Sequence, residues 1–354
     1  MGNNKRPRIL YLYAGSRKAF YEKWKDGKNP DTQLLGLNYM KELGVDATFI
    51  EFPFAEWLRK INFNLVHLPY LFAIRRYDVI FIGAGLPLVF VAKHLLGWKK
   101  PKFVIYNTFL KNALERNPHG LLGYITKKAV ENIDSIICTS KTQEKFLLEY
   151  GLPKKKITFA PIGIDVRAFL AAGEKFQTTK DYIISVGRDL GRDYATLFKA
   201  VEGLRTEVKV LTKKEAIADL TIPKNVTILQ NVPYEDVPKL HAEARFAVVP
   251  LYDDKNTSGS DTSGQYGYLE PMAAGKAVIV SNRATVRDYI EDGTDGILVP
   301  PGDPKALREQ IEKLLSNPEK AAALGAAAKA KVIEHFTSKK FAKFLATQFK
   351  KLAI

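Results

Sequence analysis

The sequence has little of what disulfide frameworks, metal sites and membrane spans require. It contains one cysteine, Cys138, among 354 residues, which excludes an internal disulfide and any multi-cysteine metal site. The five histidines are scattered without the spacing of metal ligands, so we expect no metal. No run of about 18 uncharged apolar residues occurs, and the basic start lacks the small-residue cleavage site of a signal peptide. A cytoplasmic, metal-independent protein is therefore the expectation.

The charge of the chain is positive and unevenly distributed. The net charge is +16, and residues 1–166 hold 26 Lys and Arg against 14 Asp and Glu, a balance of +12. The remaining residues hold 28 against 24, a balance of +4. Such a surplus favours an anionic partner: a membrane surface, a phosphorylated acceptor or nucleic acid. Nucleic acid is disfavoured because the basic residues are not interleaved with aromatic stacking positions. The alternative is a lysine-rich protein without an anionic partner.

Short apolar segments alternate with helical patterns along the chain, which is typical of parallel sheets covered by helices. A chain of 354 residues exceeds one ordinary core and suggests two domains. The predicted strands of the first half are Arg8–Tyr13, Ala47–Phe52, Asp78–Ile82, Lys102–Tyr106 and Ser135–Thr139. Those of the second half are Tyr182–Val186, Glu207–Leu211, Val226–Leu229, Phe246–Pro250, Ala277–Val280 and Gly296–Val299.

The turn-rich segment 161–165 predicts where the chain crosses from one domain to the other. We expect domains 1–165 and 166–337, with a last helix, residues 338–354, that packs back on the first domain. The first domain should also contain a helix at 32–43 and a long charged loop at 16–31. The predicted class is α/β, with two doubly wound, Rossmann-like domains facing a central cleft. Ligands in such sheets bind outside the carboxyl ends of the strands.

A glycine and two arginines follow the first predicted strand of the second half. From Gly187 the chain reads GRDLGRDY and then enters a predicted helix. Glycine lets the backbone approach a ligand, and Arg188 and Arg192 offer forked donors to a diphosphate. The alternative interpretation is a surface loop in which Arg192 pairs with Asp189 or Asp193.

A loop rich in Ser, Thr and Gly runs from residue 258 directly into a predicted helix at 266–274. The amides around Gly264, Gln265 and Tyr266 would lie at the N-terminus of this helix, where anions bind. Glu270 lies one turn inside, where a carboxylate accepts hydrogen bonds from ribose hydroxyls. In the alternative interpretation Glu270 only complements the helix dipole.

These motifs resemble those of the retaining glycosyltransferases of family 4, which have the GT-B fold. The resemblance covers most of residues 155–320, whereas the first half matches in layout only. It is carried by Gly187-Arg188, by Gly163-Ile-Asp165, by the segment LEPMAAGKAV at 269–278 and by the run DGTDGILVPPGDP at 292–304.

The resemblance implies a role for each matching residue. Arg188 and Arg192 would bind the donor diphosphate and assist its departure, although a lysine, displaced by one position, is usual in place of Arg192. Glu270 matches the second glutamate of the family's Glu-x7-Glu motif, which binds ribose. Val232, which follows a predicted strand, would contact the base.

The first glutamate of that motif is missing from this chain. Its position is occupied by Thr262, which leaves the recognition of the donor sugar open. Asp261, one residue earlier, is the candidate substitute. Together with Ser263, these loop residues would contact the sugar.

Fewer residues of the first half are implicated. Gly15 follows the first predicted strand, where the family places a glycine facing the donor phosphates. Asn107 lies where relatives often place a polar side chain near the donor sugar, and we take it as a catalytic candidate. A helical stripe from Phe54 to Leu68, with Arg59, Lys60, Arg75 and Arg76 nearby, is interpreted either as a contact with an anionic membrane or as ordinary packing on the sheet.

The function expected from the resemblance is retaining transfer of a hexosyl group from a UDP- or GDP-sugar to an acceptor hydroxyl. A lipid-linked or membrane glycolipid acceptor, bound at the inner face of the cell membrane, is one option. A soluble, phosphorylated acceptor is another. The alternative is a GT-B-like protein that binds a nucleotide sugar without turnover, which Thr262 keeps open. A dinucleotide-dependent oxidoreductase is disfavoured because no Gly-x-Gly-x-x-Gly follows an early strand.

Overall fold

The computed structural model describes residues 6–52, 55–61, 65–116, 118–176, 180–256, 259–260 and 262–354. The chain forms two compact units. Unit 1 contains the residues up to Gly27, Asp31–Pro161 and Ser338–Ile354, and unit 2 contains Lys28–Pro30 and Ile162–Thr337. The change of unit at Ile162 therefore lies inside the predicted crossing segment, 161–165.

Unit 1 is built on a parallel sheet of six strands in the order β2-β1-β3-β4-β5-β6. The strands are β1 Arg8–Leu12, β2 Asp46–Phe49, β3 Val79–Ile82, β4 Lys102–Asn107, β5 Ser135–Cys138 and β6 Ile157–Phe159. The central strands β3 and β5 are buried along their whole length, as the unbroken apolar segments predict. Only β6 was not expected from the sequence, because three residues directly after a lysine run carry no periodic signal.

Unit 2 is built on a second parallel sheet of six strands, in the order β12-β11-β10-β7-β8-β9. Its strands are β7 Tyr182–Val186, β8 Glu207–Leu211, β9 Val226–Leu229, β10 Ala247–Val249, β11 Val278–Ser281 and β12 Ile297–Val299. The predicted strands of the second half are thus confirmed to within two residues at each end. Because β7 and β10 are neighbours, the loops that follow them meet at the same edge of the sheet.

Helices flank both sheets. They are α1 Lys18–Lys25, α2 Ala55–Ile61, α3 Leu86–Val89, α4 Leu110–Arg116, α5 Gly120–Asn132, α6 Lys141–Glu149, α7 Arg167–Lys175, α8 Tyr194–Val201, α9 Val237–Glu243, α10 Gln265–Ala273, α11 Pro304–Ser316, α12 Pro318–His335 and α13 Ser338–Ala353. A π-helical segment, Phe90–Leu95, continues α3. None of the helices in the described ranges is both long enough and apolar enough to cross a membrane.

The C-terminal helix α13 packs on the sheet of unit 1. The ring of Phe349 lies 5.6 Å from that of Phe81 and 6.0 Å from that of Tyr11, measured between centroids, and all three side chains are buried. Aromatic contacts of this kind contribute beyond the area that they bury. The last helix is therefore an integral part of the core of unit 1.

Two expectations for the first half were wrong. The predicted helix at 32–43 is replaced by two short 3₁₀ turns, Thr32–Leu34 and Leu37–Tyr39. Between them Leu35 and Gly36 have φ angles of 50° and 82°, a left-handed conformation that a right-handed helix does not contain. The segment expected as a long loop, 16–31, contains α1, whose aromatic residue Tyr21 packs against Phe49.

Candidate active site

The candidate site in unit 2 forms at the carboxyl ends of β7 and β10. The loop after β7 reaches the loop after β10 through a bridge between Arg192 and Leu251, and the amide of Tyr252 donates to the carbonyl of Gly191 at 3.2 Å. The carboxyl edge of a parallel sheet is where such folds bind their ligands. The two motifs that the sequence singled out, around Gly187 and Glu270, follow these two strands.

Arg192 is buried, with 6% of its surface exposed, and is held by a carboxylate. Its Nε donates to Oδ2 of Asp189 at 3.0 Å, and the amide of Gly191 donates to the other carboxylate oxygen, Oδ1, at 3.0 Å. Burial opposes the ionisation of Asp189, but Arg192 and its other hydrogen-bonding neighbours outweigh burial and lower the pKa of this carboxyl. Asp189 therefore stays ionised and fixes the orientation of the guanidinium.

Two glycines enclose the guanidinium of Arg192. A Cβ atom at Gly187 would lie 2.1 Å from Nε of Arg192, and a Cβ atom at Gly267 would lie 2.6 Å from Nη2. Any side chain at either position would displace the guanidinium. The glycines that follow β7 and begin α10 therefore make room for this arginine.

One nitrogen of this guanidinium has no partner in the described part of the chain. Nη1 of Arg192 is buried and has no hydrogen-bond partner among the described residues. Leaving a buried charged donor unpaired is costly. A phosphate oxygen would satisfy this donor and would receive the charge of an arginine that is already oriented.

Arg188 differs from Arg192 in being exposed. Its Nη2 donates to the carbonyl of Val232 at 3.5 Å, which is a long hydrogen bond. The two residues follow β7 and β9, so the predicted diphosphate contact and the predicted base contact are brought together at one edge of the sheet. Burial does not restrain Arg188, and its guanidinium is free to turn towards a ligand.

Glu270 is a buried carboxyl in the second turn of α10, with 5% of its surface exposed. The hydroxyl of Tyr234 donates a hydrogen bond to its Oε1. Burial raises the pKa of Glu270 to about 7, while Tyr234, Arg192 and Arg188 act in the opposite direction. The charge of Glu270 therefore changes near neutral pH, and both arginines act on it electrostatically.

A second buried titratable group lies beside Glu270. Nε2 of His241 is 3.9 Å from Oε2 of Glu270, and neither ring nitrogen has a hydrogen bond within the described residues. Burial, with a smaller contribution from Lys276, lowers the pKa of His241 to about 3. The imidazole is therefore neutral at pH 7, and it does not compensate the charge of Glu270.

The helix that carries Glu270 begins at the predicted anion site. Gly264 caps α10 with a φ of 97°, which a glycine adopts without strain, and Gln265 is the first helical residue. The side chain of Gln265 donates to the hydroxyl of Tyr289 at 2.9 Å, so its own amide group helps to fix the helix start. The backbone amides of 264–266 lie at the N-terminus of α10, as the sequence indicated, with Tyr266 partly exposed.

The loop before α10 is described in part. Thr262 and Ser263 are buried, and the amide of Thr262 donates to Oγ of Ser260 at 3.2 Å. Asp261 lies outside the described residues, so its role as a substitute for the missing glutamate stays a prediction. The assignment of Thr262 and Ser263 to the donor sugar also stays a prediction.

The two candidates of the first half, Gly15 and Asn107, belong to unit 1. Gly15 is half-buried, three residues after the end of β1. Asn107 ends β4 and is 1% exposed. Its Oδ1 accepts from the amide of Leu110 at 3.1 Å, and its Nδ2 lies 3.8 Å from Sγ of Cys138. The side chain of Asn107 thus anchors the start of α4, and its predicted catalytic role is untested.

Sequence reasoning did not identify Tyr234, His241 and Gly267. Tyr234 comes two residues after the predicted base contact, and Gly267 stands inside the loop–helix segment, so both lay within motifs already considered. Their roles depend on contacts with Glu270 and Arg192, which are distant in the chain. Asp189 was considered as a partner of Arg192 in a surface loop; the two do pair, but the side chain of Arg192 is buried while that of Asp189 is 38% exposed.

Two family models match the chain. Residues 27–168 match the model described as Glycosyltransferase Family 4, and residues 167–331 match that described as Glycosyl transferases group 1. The two matches follow one another and together span most of both units.

Two curated relatives align with part of the chain. A GDP-mannose-dependent alpha-(1-6)-phosphatidylinositol monomannoside mannosyltransferase of Mycolicibacterium smegmatis is 29% identical over 117 residues, which is 33% of this chain and 30% of the relative. An uncharacterized glycosyltransferase of Methanocaldococcus jannaschii, MJ1178, is 25% identical over 215 residues, 57% of this chain and 55% of the relative. The chain thus aligns with less than two thirds of the length of either relative.

Similar solved structures cover nearly the whole chain and show its fold. Alr3699/HepE of Anabaena, in complex with UDP-glucose, has a TM-score of 0.71 at 14% identity, with 98% of this chain and 100% of that chain covered. Sucrose-phosphate synthase of Thermosynechococcus elongatus has a TM-score of 0.72 at 17% identity, with 98% and 99% covered. With the two Rossmann-like units and the two family matches, these similarities establish that the chain belongs to the family 4-like glycosyltransferases of the GT-B fold.

Proposed function

We propose that this protein transfers a hexosyl group from a UDP- or GDP-linked sugar to an acceptor hydroxyl, with retention of the anomeric configuration. The observation that carries the proposal is the enclosed guanidinium of Arg192, oriented by Asp189 and with one buried nitrogen unpaired. A site that is already oriented before the ligand binds stabilises developing charge most effectively.

In the proposed reaction the bond between the anomeric carbon and the β-phosphate oxygen breaks. The electron pair leaves with the nucleotide diphosphate, whose growing negative charge Arg188, Arg192 and the N-terminus of α10 stabilise. The acceptor oxygen forms the new bond to the anomeric carbon, and its proton passes to an oxygen of the departing diphosphate. Glu270 accepts hydrogen bonds from the ribose. No side chain of the described residues is assigned as a nucleophile.

We also propose that the reaction needs no metal ion. Two arginines and a helix N-terminus supply the positive charge that a divalent cation provides in other transferases. Within the described ranges, no group of three or more His, Cys, Asp and Glu side chains is arranged to hold a metal.

The observations favour a lipid-linked acceptor. The protein would reach this acceptor by binding peripherally to the inner face of the cell membrane. Residues 1–166 carry a balance of +12, which suits an anionic surface. Within unit 1, Trp57 and Phe72 are 61% and 78% exposed. One curated relative carries a phosphatidylinositol mannoside in its name, which is consistent with an acceptor of this class.

Binding of a nucleotide sugar without turnover is the second candidate. It is favoured by Thr262, which stands where the family has its first glutamate. A transferase acting on a soluble, phosphorylated acceptor is a further option that the positive charge of the first half would also suit.

Incubation with radiolabelled UDP- and GDP-hexoses tests the proposal. We expect acceptor-dependent release of UDP or GDP that persists in EDTA, and a product whose anomeric configuration, read by nuclear magnetic resonance, matches the donor. Binding of a donor without release from any of them would support the second candidate. Loss of turnover in EDTA that magnesium restores would contradict metal independence.

A further inference from the structure

Unit 1 contains a cavity of about 490 Å³ outside the carboxyl ends of β3 and β4. It is bounded by the segment 83–87, which leads into α3, by residues 105 and 106 at the end of β4, by residues 108–110, 112 and 113 at the start of α4, and by one face of α5. Its volume lies in the range of ordinary ligand sites. The predicted catalytic residue Asn107 lies in the chain between Tyr106 and Thr108, which both line the cavity.

The lining of this cavity is mainly apolar, although Tyr106, Thr108, Asn112 and Thr126 also belong to it. It includes Leu86, Ile105, Phe109, Leu110, Leu122 and Ile125. None of the described residues that line it carries a charged side chain. A site for a sugar or a phosphate needs charged or convergent polar groups to replace water. This cavity provides mainly hydrocarbon surface.

Apolar side chains also surround the mouth of the cavity. Phe109 and Leu122 line it and are each 50% exposed. Elsewhere on α5, Tyr124 is 47% exposed, and its hydroxyl lies 3.0 Å from Nε2 of His94. His94 is followed by Leu95, which is 61% exposed. The apolar lining of the cavity therefore reaches the exterior of unit 1 at Phe109 and Leu122.

Two of the helices that line the cavity also carry basic side chains. Lys127 is exposed on α5, and the half-buried Lys111 on α4 lies with its Nζ 5.9 Å from the centre of the ring of Phe146. Basic side chains next to exposed apolar residues are typical of surfaces that approach anionic lipid. The arrangement places hydrocarbon contact in the cavity and charge outside it.

We infer that this cavity binds a hydrocarbon chain, namely the alkyl or isoprenoid chain that carries the acceptor hydroxyl. The inference rests on the proposed transfer reaction and specifies its acceptor. Burying a chain here removes its methylene groups from water, which is favourable in proportion to the apolar area buried. The hydroxyl at the end of the chain is then held at the carboxyl edge of the sheet, close to Asn107.

Binding of octyl glucoside below its micelle concentration, compared with methyl glucoside, tests the cavity directly. Calorimetry should show binding of the octyl compound and at least tenfold weaker binding of the methyl compound. Leu122→Asp places a charge at the half-exposed mouth and should weaken octyl glucoside binding at least tenfold. Leu121→Asp is the matched control, because Leu121 is 76% exposed, adjacent in the chain and outside the lining. Equal binding of the two glucosides, or equal effects of the two variants, would overturn the inference.

A second experiment tests whether the hydrocarbon chain bound in the cavity is that of the acceptor. It measures the transfer of radiolabelled sugar to vesicles made from a cellular lipid extract. We expect label in the organic phase, reduced at least fivefold in Leu122→Asp and unchanged in Leu121→Asp, with the same affinity for UDP or GDP in all three proteins. Label that is equal in the three proteins would place the acceptor chain elsewhere. Transfer to water-soluble products alone would leave the proposed reaction standing and overturn the lipid acceptor. Absence of turnover with every donor would instead contradict the proposed reaction.

Discussion

The hydroxyl of Tyr234 donates a hydrogen bond to the buried carboxylate of Glu270. Tyr234 follows β9, close to the predicted base contact Val232, whereas Glu270 lies in α10. The bond therefore connects the segment expected to hold the base with the residue expected to hold the ribose. It also occupies an oxygen that a ribose hydroxyl would use, so we expect nucleotide binding to displace or share this bond.

The affinity for a nucleotide sugar should depend on pH through Glu270. The ionised carboxylate accepts hydrogen bonds from ribose better than the neutral acid, and the pKa of Glu270 is about 7. Affinity for UDP-glucose or GDP-mannose, measured by calorimetry, should therefore rise from pH 6 to pH 8.

Two variants separate this effect from other titrations. Glu270→Gln should bind more weakly and lose the rise between pH 6 and pH 8. Tyr234→Phe removes a hydrogen bond that lowers the pKa of Glu270, so the rise should move to higher pH. If the affinity depends on pH in the same way in the wild type and in Glu270→Gln, Glu270 does not bind the ribose. The alternative interpretation, in which Glu270 only complements the helix dipole, would then hold.

The stability of unit 2 should depend on pH through two groups of opposite sign. The pKa of Glu270 rises from 4.5 to about 7 on folding, so its stabilising contribution is complete below pH 4.5 and is lost as the pH rises through 7. The pKa of His241 falls from 6.5 to about 3, so its contribution is complete above pH 6.5 and is lost as the pH falls through 3. Between pH 4.5 and 6.5 the two oppose each other.

Urea unfolding of the wild type and of Glu270→Gln separates the two contributions. The free energy of unfolding of the wild type, relative to the variant, should fall by on the order of 3 kcal/mol from pH 4.5 to above pH 7. In Glu270→Gln the His241 contribution should remain, so that variant becomes more stable from pH 3 to 6.5. Parallel curves for the two proteins would show that Glu270 does not titrate in this range.

Replacement of either arginine should slow transfer severely. In comparable sites, the loss of one hydrogen-bond donor that stabilises developing negative charge lowers the catalytic rate about 100-fold or more. Arg188→Ala should show this without a change in stability, because Arg188 is exposed. Arg192→Lys keeps the charge of the buried position but loses the forked geometry, and it should also be slow. Arg205→Ala, at another exposed arginine of unit 2, is the control in a steady-state assay; rates in Arg188→Ala equal to this control would remove the assignment.

The glycines around Arg192 should act through that arginine. Gly267→Ala places a Cβ against Nη2 of Arg192 and should reduce transfer and nucleotide binding. In a protein that already carries Arg192→Ala, the same substitution should cost less, because the guanidinium is gone and only the contact of 2.9 Å between the new Cβ and the carbonyl oxygen of Val186 remains. A double-mutant cycle of these two changes measures the coupling. Additive losses would mean that Gly267 serves another purpose.

Anionic vesicles should retain the protein through unit 1. Each basic residue near such a surface contributes on the order of 1 kcal/mol, so sedimentation with vesicles should rise with anionic lipid and fall with salt. Conversion of four basic residues of unit 1 to Gln should abolish it: Arg59, Lys60, Arg75 and Arg76. The matched control converts four exposed basic residues of unit 2: Arg205, Lys213, Lys214 and Lys224. If both variants lose vesicle binding equally, net charge alone is responsible. If the unmodified protein does not bind anionic vesicles at low salt, a soluble acceptor is favoured.

Local patterns were sufficient to predict the order of elements. The largely apolar segment Tyr182–Val186 became a strand with the predicted bounds, because burial on both faces leaves a signal within a few residues. Glu207–Leu211, in which polar and apolar residues alternate at the start, also became a strand with the predicted bounds. The helix start after Gly264 was also predicted to within one residue. The prediction of a helix at 32–43 was wrong because its apolar spacing gave no sign of the left-handed turn at Leu35 and Gly36.

By itself the sequence determined the two α/β units and the motifs that carry the family resemblance, since both depend on neighbours in the chain. Only the tertiary structure decided that Arg192 is buried between Gly187 and Gly267, and that Tyr234 bonds to Glu270 beside a neutral His241. These relations join residues that follow different strands. The parallel sheet brings its carboxyl ends together at one edge, and no periodicity in the chain records which side chains meet there.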